Sequence, residues 1–213
     1  NPTSINLKDG YAMKIGIMGG TFDPIHNGHL MLGVYAYESF NLHEIWFLPN
    51  GNPPHKTEET DVKDRVEMVR LAIKKDQRFS LNTYEVEKLS KSYSYATLEM
   101  LHTQYPEHEF YFIVGADSLF SIESWKEPAR VIKACTILAA CRDDKNTEDM
   151  QRQIAYLTEK YGADIRLMRS PHMDVSSSDI RKIASGLKIT DLVPKEVADY
   201  IQNHHLYRNV NLS

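Results

Sequence analysis

The segment richest in possible chemistry reads Gly19-Gly20-Thr21-Phe22-Asp23-Pro24-Ile25-His26-Asn27-Gly28-His29-Leu30. Paired glycines let a phosphate come close to the backbone, and a helix starting near Gly28 would aim free amides and its positive dipole end at the same place. Two histidines three residues apart could donate hydrogen bonds to charge developing on a phosphate in transfer. The segment matches neither the GxxxxGK[ST] loop nor the GxGxxG turn. The plainer reading is that His26 caps a turn and His29 packs on a sheet. A second anion site is suggested by Ser176-Ser177-Ser178 with Arg181 one turn later, where hydroxyls, helix-start amides and a guanidinium would converge. Its plainer alternative is a serine cap beside a solvated arginine. Lys56, after Pro53-Pro54-His55, and Arg142, after an apolar run, are further candidates for phosphate contacts. No Ser-His-Asp or Cys-His arrangement occurs among these motifs. Cys135 and Cys141 lack zinc or redox spacing and read as core thiols, and His204-His205 read as surface residues.

These residues need elements to hold them. From Met13 the sequence alternates short apolar runs with helix-period stretches, the pattern of βαβ units around a parallel sheet. Strands are expected at 14–18, 45–48, 79–81, 110–114, 136–141 and 164–168. Leu30, Gly33, Val34 and Tyr37 place a helix over about 28–40; Val62, Val66, Val69 and Ile73, capped by Asp61, place another to about Lys75. Further helices are expected over 95–104, on both sides of Trp125, over 148–161, from Ser176 towards Ser185, and to about Asn203 with Pro194 in its first position. The fold class is α/β, a Rossmann-like parallel sheet with helices on both faces and a small C-terminal helical part from about 176. Residues 1–12 read as a processed or appended extension, 13–207 as one domain and 208–213 as a tail. In such sheets ligands bind beyond the carboxyl ends of the strands, where the glycine-rich turn falls.

The 213 residues include 25 Lys and Arg against 29 Asp and Glu, a formal charge of −4, so no broad basic field exists to hold a nucleic-acid backbone. With 42% hydrophobic and 25% charged residues, the composition is that of a globular protein in water. No stretch of eighteen apolar residues suggests a membrane span, and the cytoplasm is the expected location.

The stretch GGTFDPIHNGH resembles the signature of the nucleotidyltransferase superfamily carrying the HxGH motif. Within it the longer match is to the bacterial nicotinate-nucleotide adenylyltransferases. Three later stretches fit in the same order: Gly115-Ala116-Asp117-Ser118-Leu119, then Trp125, then Val175-Ser176-Ser177-Ser178-Asp179-Ile180-Arg181. The resemblance spans about Met13 to Tyr207. It implies transfer of the adenylyl group of ATP to nicotinate mononucleotide, with Mg²⁺ carried in on ATP. It implies that Gly19, Gly20, Thr21 and Phe22 line the junction of the two substrates and that His26 and His29 contact ATP phosphates catalytically. Gly115 and Asp117 would meet the adenosine ribose, while Ser177, Ser178, Ile180 and Arg181 would serve the triphosphate, joined by Arg142. Ser94 and Trp125, with Gly20, Thr21 and Lys56, would hold the mononucleotide, Trp125 stacking on its ring. Ser94 replaces the family's threonine in Ser92-Tyr93-Ser94, keeping the hydroxyl and losing the methyl. Family members include dimers. Two other readings stay open: a relative adenylylating or cytidylylating another phosphate acceptor, and a nucleotide sensor without turnover.

Overall fold

A computed structural model of the chain describes residues 11–51, 60–142, 147–170, 176–183 and 189–208. Six strands form one parallel sheet: β1 (Lys14–Gly20), β2 (Glu44–Pro49), β3 (Phe79–Leu81), β4 (Glu109–Gly115), β5 (Thr136–Arg142) and β6 (Ile165–Ser170). Their order is β3-β2-β1-β4-β5-β6, so the chain winds outward from β1 in one direction and then from β4 in the other. Such a reversal leaves a crevice between the two central strands at their carboxyl ends. Both of those strands end in glycine, β1 at Gly20 and β4 at Gly115.

Helices α1 (Asn27–Ser39), α2 (Val62–Ile73), α3 (Tyr84–Glu87), α4 (Ser94–Gln104), α5 (Ala116–Ser121), α6 (Pro128–Ala134), α7 (Thr147–Tyr161), α8 (Ser177–Ile183) and α9 (Lys195–Asn203) surround the sheet. Sheets covered on both faces have near-continuous apolar strands, as in Phe110 to Val114. One core gathers Phe47, Met68, Val69, Ile73, Phe79, Val197 and Ile201; another gathers Leu119, Val131, Ile137, Met150 and Leu157. The C-terminal helix thus shares a core with α2, and Tyr200 Oη donates to Asp64 Oδ1 at 2.6 Å.

The expected elements are present with small shifts at their ends. Two differences have clear reasons. Pro194 is the N-cap of α9, not its first residue, because its ψ of 149° is extended. The four-residue α3 was not expected, being too short to show a helical period. Neither cysteine is in a disulfide; Cys141 is buried, and Cys135, half-buried, has its thiol pushed up to about 12 by burial.

Helix α1 lies close to the sheet because Gly33 has no side chain. A Cβ there would stand 3.2 Å from Phe79 Cε1 and 3.4 Å from Phe47 Cζ, two rings already in edge contact at 5.0 Å. Gly33→Val should therefore lower stability by about 1–3 kcal/mol through overpacking. Urea denaturation would read this as a lower midpoint; an unchanged midpoint would show that the helix can stand further from the sheet.

Candidate active site

Between the ends of β1 and β4 lies a cavity of about 430 Å³. Of the residues expected at a substrate site, Gly19, Gly20, Ser94, Gly115 and Trp125 line it together. A Cβ at Gly115 would meet nothing within 4 Å, so the end of β4 faces open space. Trp125 is half-buried between α5 and α6, edge-on to Phe112 at 6.2 Å, with a ring available to a planar ligand. Asp117 is exposed in the first turn of α5.

From Gly20 the chain passes through the loop 21–26 into α1. Phe22 has φ of +52°, in the left-handed region that disfavours a bulky residue. Burial holds it there: its ring is 2% exposed and meets His29 edge-on at 5.0 Å. His26 is the N-cap of α1, its Nδ1 accepting the Gly28 amide at 3.0 Å, while His29 Nδ1 accepts the His26 amide at 3.1 Å. The two imidazoles thus form a reciprocal capping box, a task usually given to Ser or Thr with Glu or Gln. They stack at 3.7 Å.

This arrangement joins the two readings that the sequence left as alternatives. Because each Nδ1 accepts a backbone N–H, the proton of each neutral ring must be on Nε2. Burial pulls His26 down to about 4, and burial with the neighbouring His26 pulls His29 down to about 3. Both rings are therefore neutral Nε2–H donors at neutral pH. Structural capping fixes the tautomer that phosphate contact requires.

Other parts of the expectation are corrected. The first amides of α1 are not free to hold an anion: Asn27 N donates to Leu192 O at 2.9 Å, and Gly28 N is taken by His26. The side chains of Phe22 and Ile180 offer no surface to ATP, being 2% and 0% exposed in the core. Arg181 Nη1 donates to Asp23 O at 2.7 Å and Ser177 Oγ to Pro24 O at 2.9 Å, so both brace the loop, Arg181 with one of its nitrogens. Ser176 Oγ caps α8 by accepting Asp179 N, and Ser178 is exposed. Lys56 and the side chain of Arg142 lie outside the described residues.

Arg65 braces the site and was missed by the sequence reading. It is wholly buried in α2, donating from Nη1 to Thr21 O at 2.7 Å, from Nη2 to Asn50 O at 3.2 Å and from Nε to Thr60 O at 3.2 Å. Asn50 in turn donates from Nδ2 to Thr21 Oγ1 at 3.1 Å and from its backbone to Gly20 O. The signal was present: Arg65 falls in the apolar stripe of Val62, Val66 and Val69, where a cation needs a reason. Asp23, also buried, accepts from Tyr207 Oη at 2.6 Å and Thr60 N at 3.3 Å.

The sequence model of the family described as Cytidylyltransferase-like matches residues 17–183. A chain from Lachnoclostridium phytofermentans named "Probable nicotinate-nucleotide adenylyltransferase" is 43% identical over 197 residues, covering 91% of this chain and 98% of that one. One of the same name from Clostridium tetani is 40% identical over 198 residues, covering 92% and 99%. Among solved structures, the Plasmodium falciparum nicotinic acid mononucleotide adenylyltransferase complexed with NaAD has a TM-score of 0.74 at 24% identity, covering 94% of this chain and 100% of that chain, a likeness of fold.

The histidine pair makes a pH prediction. A base whose pKa is lower in the folded state binds fewer protons there than when unfolded, so stability falls as pH drops through the unfolded value of 6.5 towards the folded values of about 4 and 3. The pair should contribute a loss on the order of 5 kcal/mol between pH 7 and pH 4.5. Urea denaturation at both pH values should show a smaller loss for His29→Asn than for the wild-type chain; equal losses would mean the rings titrate normally.

Proposed function

The chain belongs to the Cytidylyltransferase-like family, among its nicotinate-nucleotide adenylyltransferases, and from that premise we propose that it transfers the adenylyl group of ATP to nicotinate mononucleotide. The products are nicotinate adenine dinucleotide and pyrophosphate. The observation that carries this reading is the pair of neutral imidazoles, locked as Nε2–H donors, at the helix start that follows the glycine-ended central strand. The phosphate of the mononucleotide is already an oxyanion, so attack on the α-phosphorus needs neither a protein base nor a covalent intermediate. Alignment and charge stabilisation are sufficient. We assign His26 and His29 to the α-phosphate and the oxygens of the departing pyrophosphate, where negative charge grows.

On the acceptor side, Trp125 and Ser94 hold the pyridine ring within the cavity and Gly20 lets both substrates approach the backbone. Gly115 and Asp117 are left to the adenosine ribose. Ser177 and Arg181 act chiefly by fixing the backbone of Asp23 and Pro24, with the remaining guanidinium donors turned to the triphosphate. Mg²⁺ would be carried in by ATP through its phosphate oxygens, where it would supply charge neutralisation. Among the described residues no group of three His, Cys, Asp or Glu side chains is placed to hold a metal ion, and Asp23 is committed to Tyr207 and Thr60. Among those residues no helix is long and apolar enough to cross a membrane.

Incubation with ATP, Mg²⁺ and a panel of mononucleotides should release pyrophosphate fastest with nicotinate mononucleotide. Release only with another acceptor, or none at all, would overturn the reading. His29→Ala should lower kcat by about 100-fold or more and also cost about 1 kcal/mol of stability, since a donor and a cap are lost together. His29→Asn places Oδ1 near the lost Nδ1 and should restore stability while leaving kcat low; recovery of kcat would assign His29 to capping alone. Trp125→Ala should raise KM for the mononucleotide by an amount worth about 1 kcal/mol with little change for ATP. A fall in melting temperature with an unchanged ratio of the two KM values would make Trp125 a packing residue.

A further inference from the structure

The part of the cavity wall built by α3, α4 and the segment between them has more hydrogen-bonding capacity than the protein uses. Among the described residues Ser92 Oγ is buried without a hydrogen-bond partner, although buried hydroxyls are nearly always paired, and the buried Thr97 Oγ1 has only the Glu85 carboxyl near it. Thr97 is only 3% exposed. Both line the cavity that holds Ser94 and Trp125, and Glu85 lines it with them. A carboxyl in such a place has no role in the mechanism above.

We propose that Glu85 is a specificity-determining residue for the acceptor: when protonated it donates a hydrogen bond to a carboxylate on the pyridine ring, and when ionised it repels that carboxylate but tolerates a carboxamide. This rests on the assignment of Trp125 and Ser94 to the acceptor ring. Trp125, Ser94, Ser92, Thr97 and Glu85 share one cavity of about 430 Å³, so a ring seated on Trp125 is enclosed by the same walls as this carboxyl. Nicotinate and nicotinamide differ only there. One offers acceptors and a negative charge; the other offers both a donor and an acceptor and no charge. The Ser92 and Thr97 hydroxyls can serve either substituent, so discrimination falls to the one group in the wall that changes charge.

The surroundings make that change accessible near neutrality. Burial raises the Glu85 carboxyl to about 7, with the nearby Thr97 hydroxyl and the Lys88 ammonium drawing it part of the way back. The other described charges on neighbouring elements are turned elsewhere. Glu87 accepts from Thr83 Oγ1 at 3.0 Å, and Glu99 is held by Arg130 Nε at 2.7 Å. Lys91 and Lys126 lie over the Tyr93 ring at 5.1 and 4.4 Å, and Glu44, near the other end of β2, is bonded to Ser80.

The test is the ratio of kcat/KM for nicotinate mononucleotide to that for nicotinamide mononucleotide, measured from pH 6 to 8.5 in the wild-type chain and in Glu85→Gln. Titration of the acceptor phosphate cancels in this ratio, because both acceptors carry the same phosphate. In the wild type the ratio should fall about tenfold across the range, as expected for two like charges meeting a few ångströms apart near the surface of a protein. In Glu85→Gln it should stay level near the wild-type value at pH 6, since the amide remains a donor at every pH. An unchanged KM for ATP would confirm that the variant is folded. Parallel ratios in the two proteins, with nicotinate turnover intact, would overturn the role of Glu85 alone. Turnover of neither acceptor would overturn the acceptor assignment and this inference with it.

Discussion

Backbone that is buried and irregular must still have its polar groups paired, and in the loop from Gly20 to His26 four carbonyls find their partners in distant segments. Gly20 O accepts from Asn50 N, Thr21 O from Arg65, Asp23 O from Arg181 and Pro24 O from Ser177. The Asp23 side chain adds Tyr207 and Thr60, and Asn27 reaches Leu192 and Asp191. Segments separated by up to 184 positions in the chain therefore converge on one turn. A carbonyl left unpaired here would cost about 1–3 kcal/mol, which is comparable to a substantial part of a domain's net stability. The turn cannot take its shape unless the second βα unit and the C-terminal segment are both in place.

This dependence explains why α8 and the residues after α9 belong to the site although they contribute little to the cavity wall. Arg181 and Ser177 hold carbonyls, and Tyr207 holds a carboxylate, so under the proposed function their influence on phosphate chemistry would run through the loop. The imidazoles follow the same rule. Each is bonded through Nδ1 to the backbone it caps, and this leaves Nε2–H as the only donor each neutral ring can present. A pair of flexible, solvated histidines would sample both tautomers and carry charge for part of the time. Here stacking, burial and capping remove that freedom before a nucleotide arrives, which is the preorganisation that stabilising a transition state requires.

The central strands were legible because apolar runs ending in glycine are local signals, and so was α2, whose apolar spacing and Asp61 cap lie within one window of sequence. The glycine-rich turn and the histidines were legible as a motif, and Trp125 as an aromatic between two short helices. What could not be read was the pairing of distant groups. Arg65 sits in the stripe of a helix that reads correctly as amphipathic, yet its partners are carbonyls 5, 15 and 44 residues away. Arg181 carries charge suited to phosphate, and sequence cannot tell that one of its nitrogens meets a peptide carbonyl instead. Ile180 sits beside it in the motif while facing the opposite way, because neighbours on a helix point in different directions. Glu85 left no local mark at all, lying in a helix of four residues.

The two halves of the site differ in how much hydrogen bonding they leave open. Around the turn four carbonyls, the Asp23 carboxylate and the amides of Asn27 and Gly28 are engaged, and the imidazole Nε2–H groups are its prepared donors. Along the wall formed by Glu85, Ser92 and Thr97, the Ser92 hydroxyl is buried and unpaired among the described residues, and the Thr97 hydroxyl has only the Glu85 carboxyl near it. The difference suits the two tasks. A triphosphate brings the same charge and geometry in every turnover, so its side of the site can be rigid and saturated. An acceptor must be chosen among molecules that share a phosphate and differ at one substituent, and choice of that kind depends on polar groups that remain unsatisfied until the right partner fills them. Capacity left open where the other described buried side-chain polar atoms are paired is what the proposed role of this wall in discrimination would require.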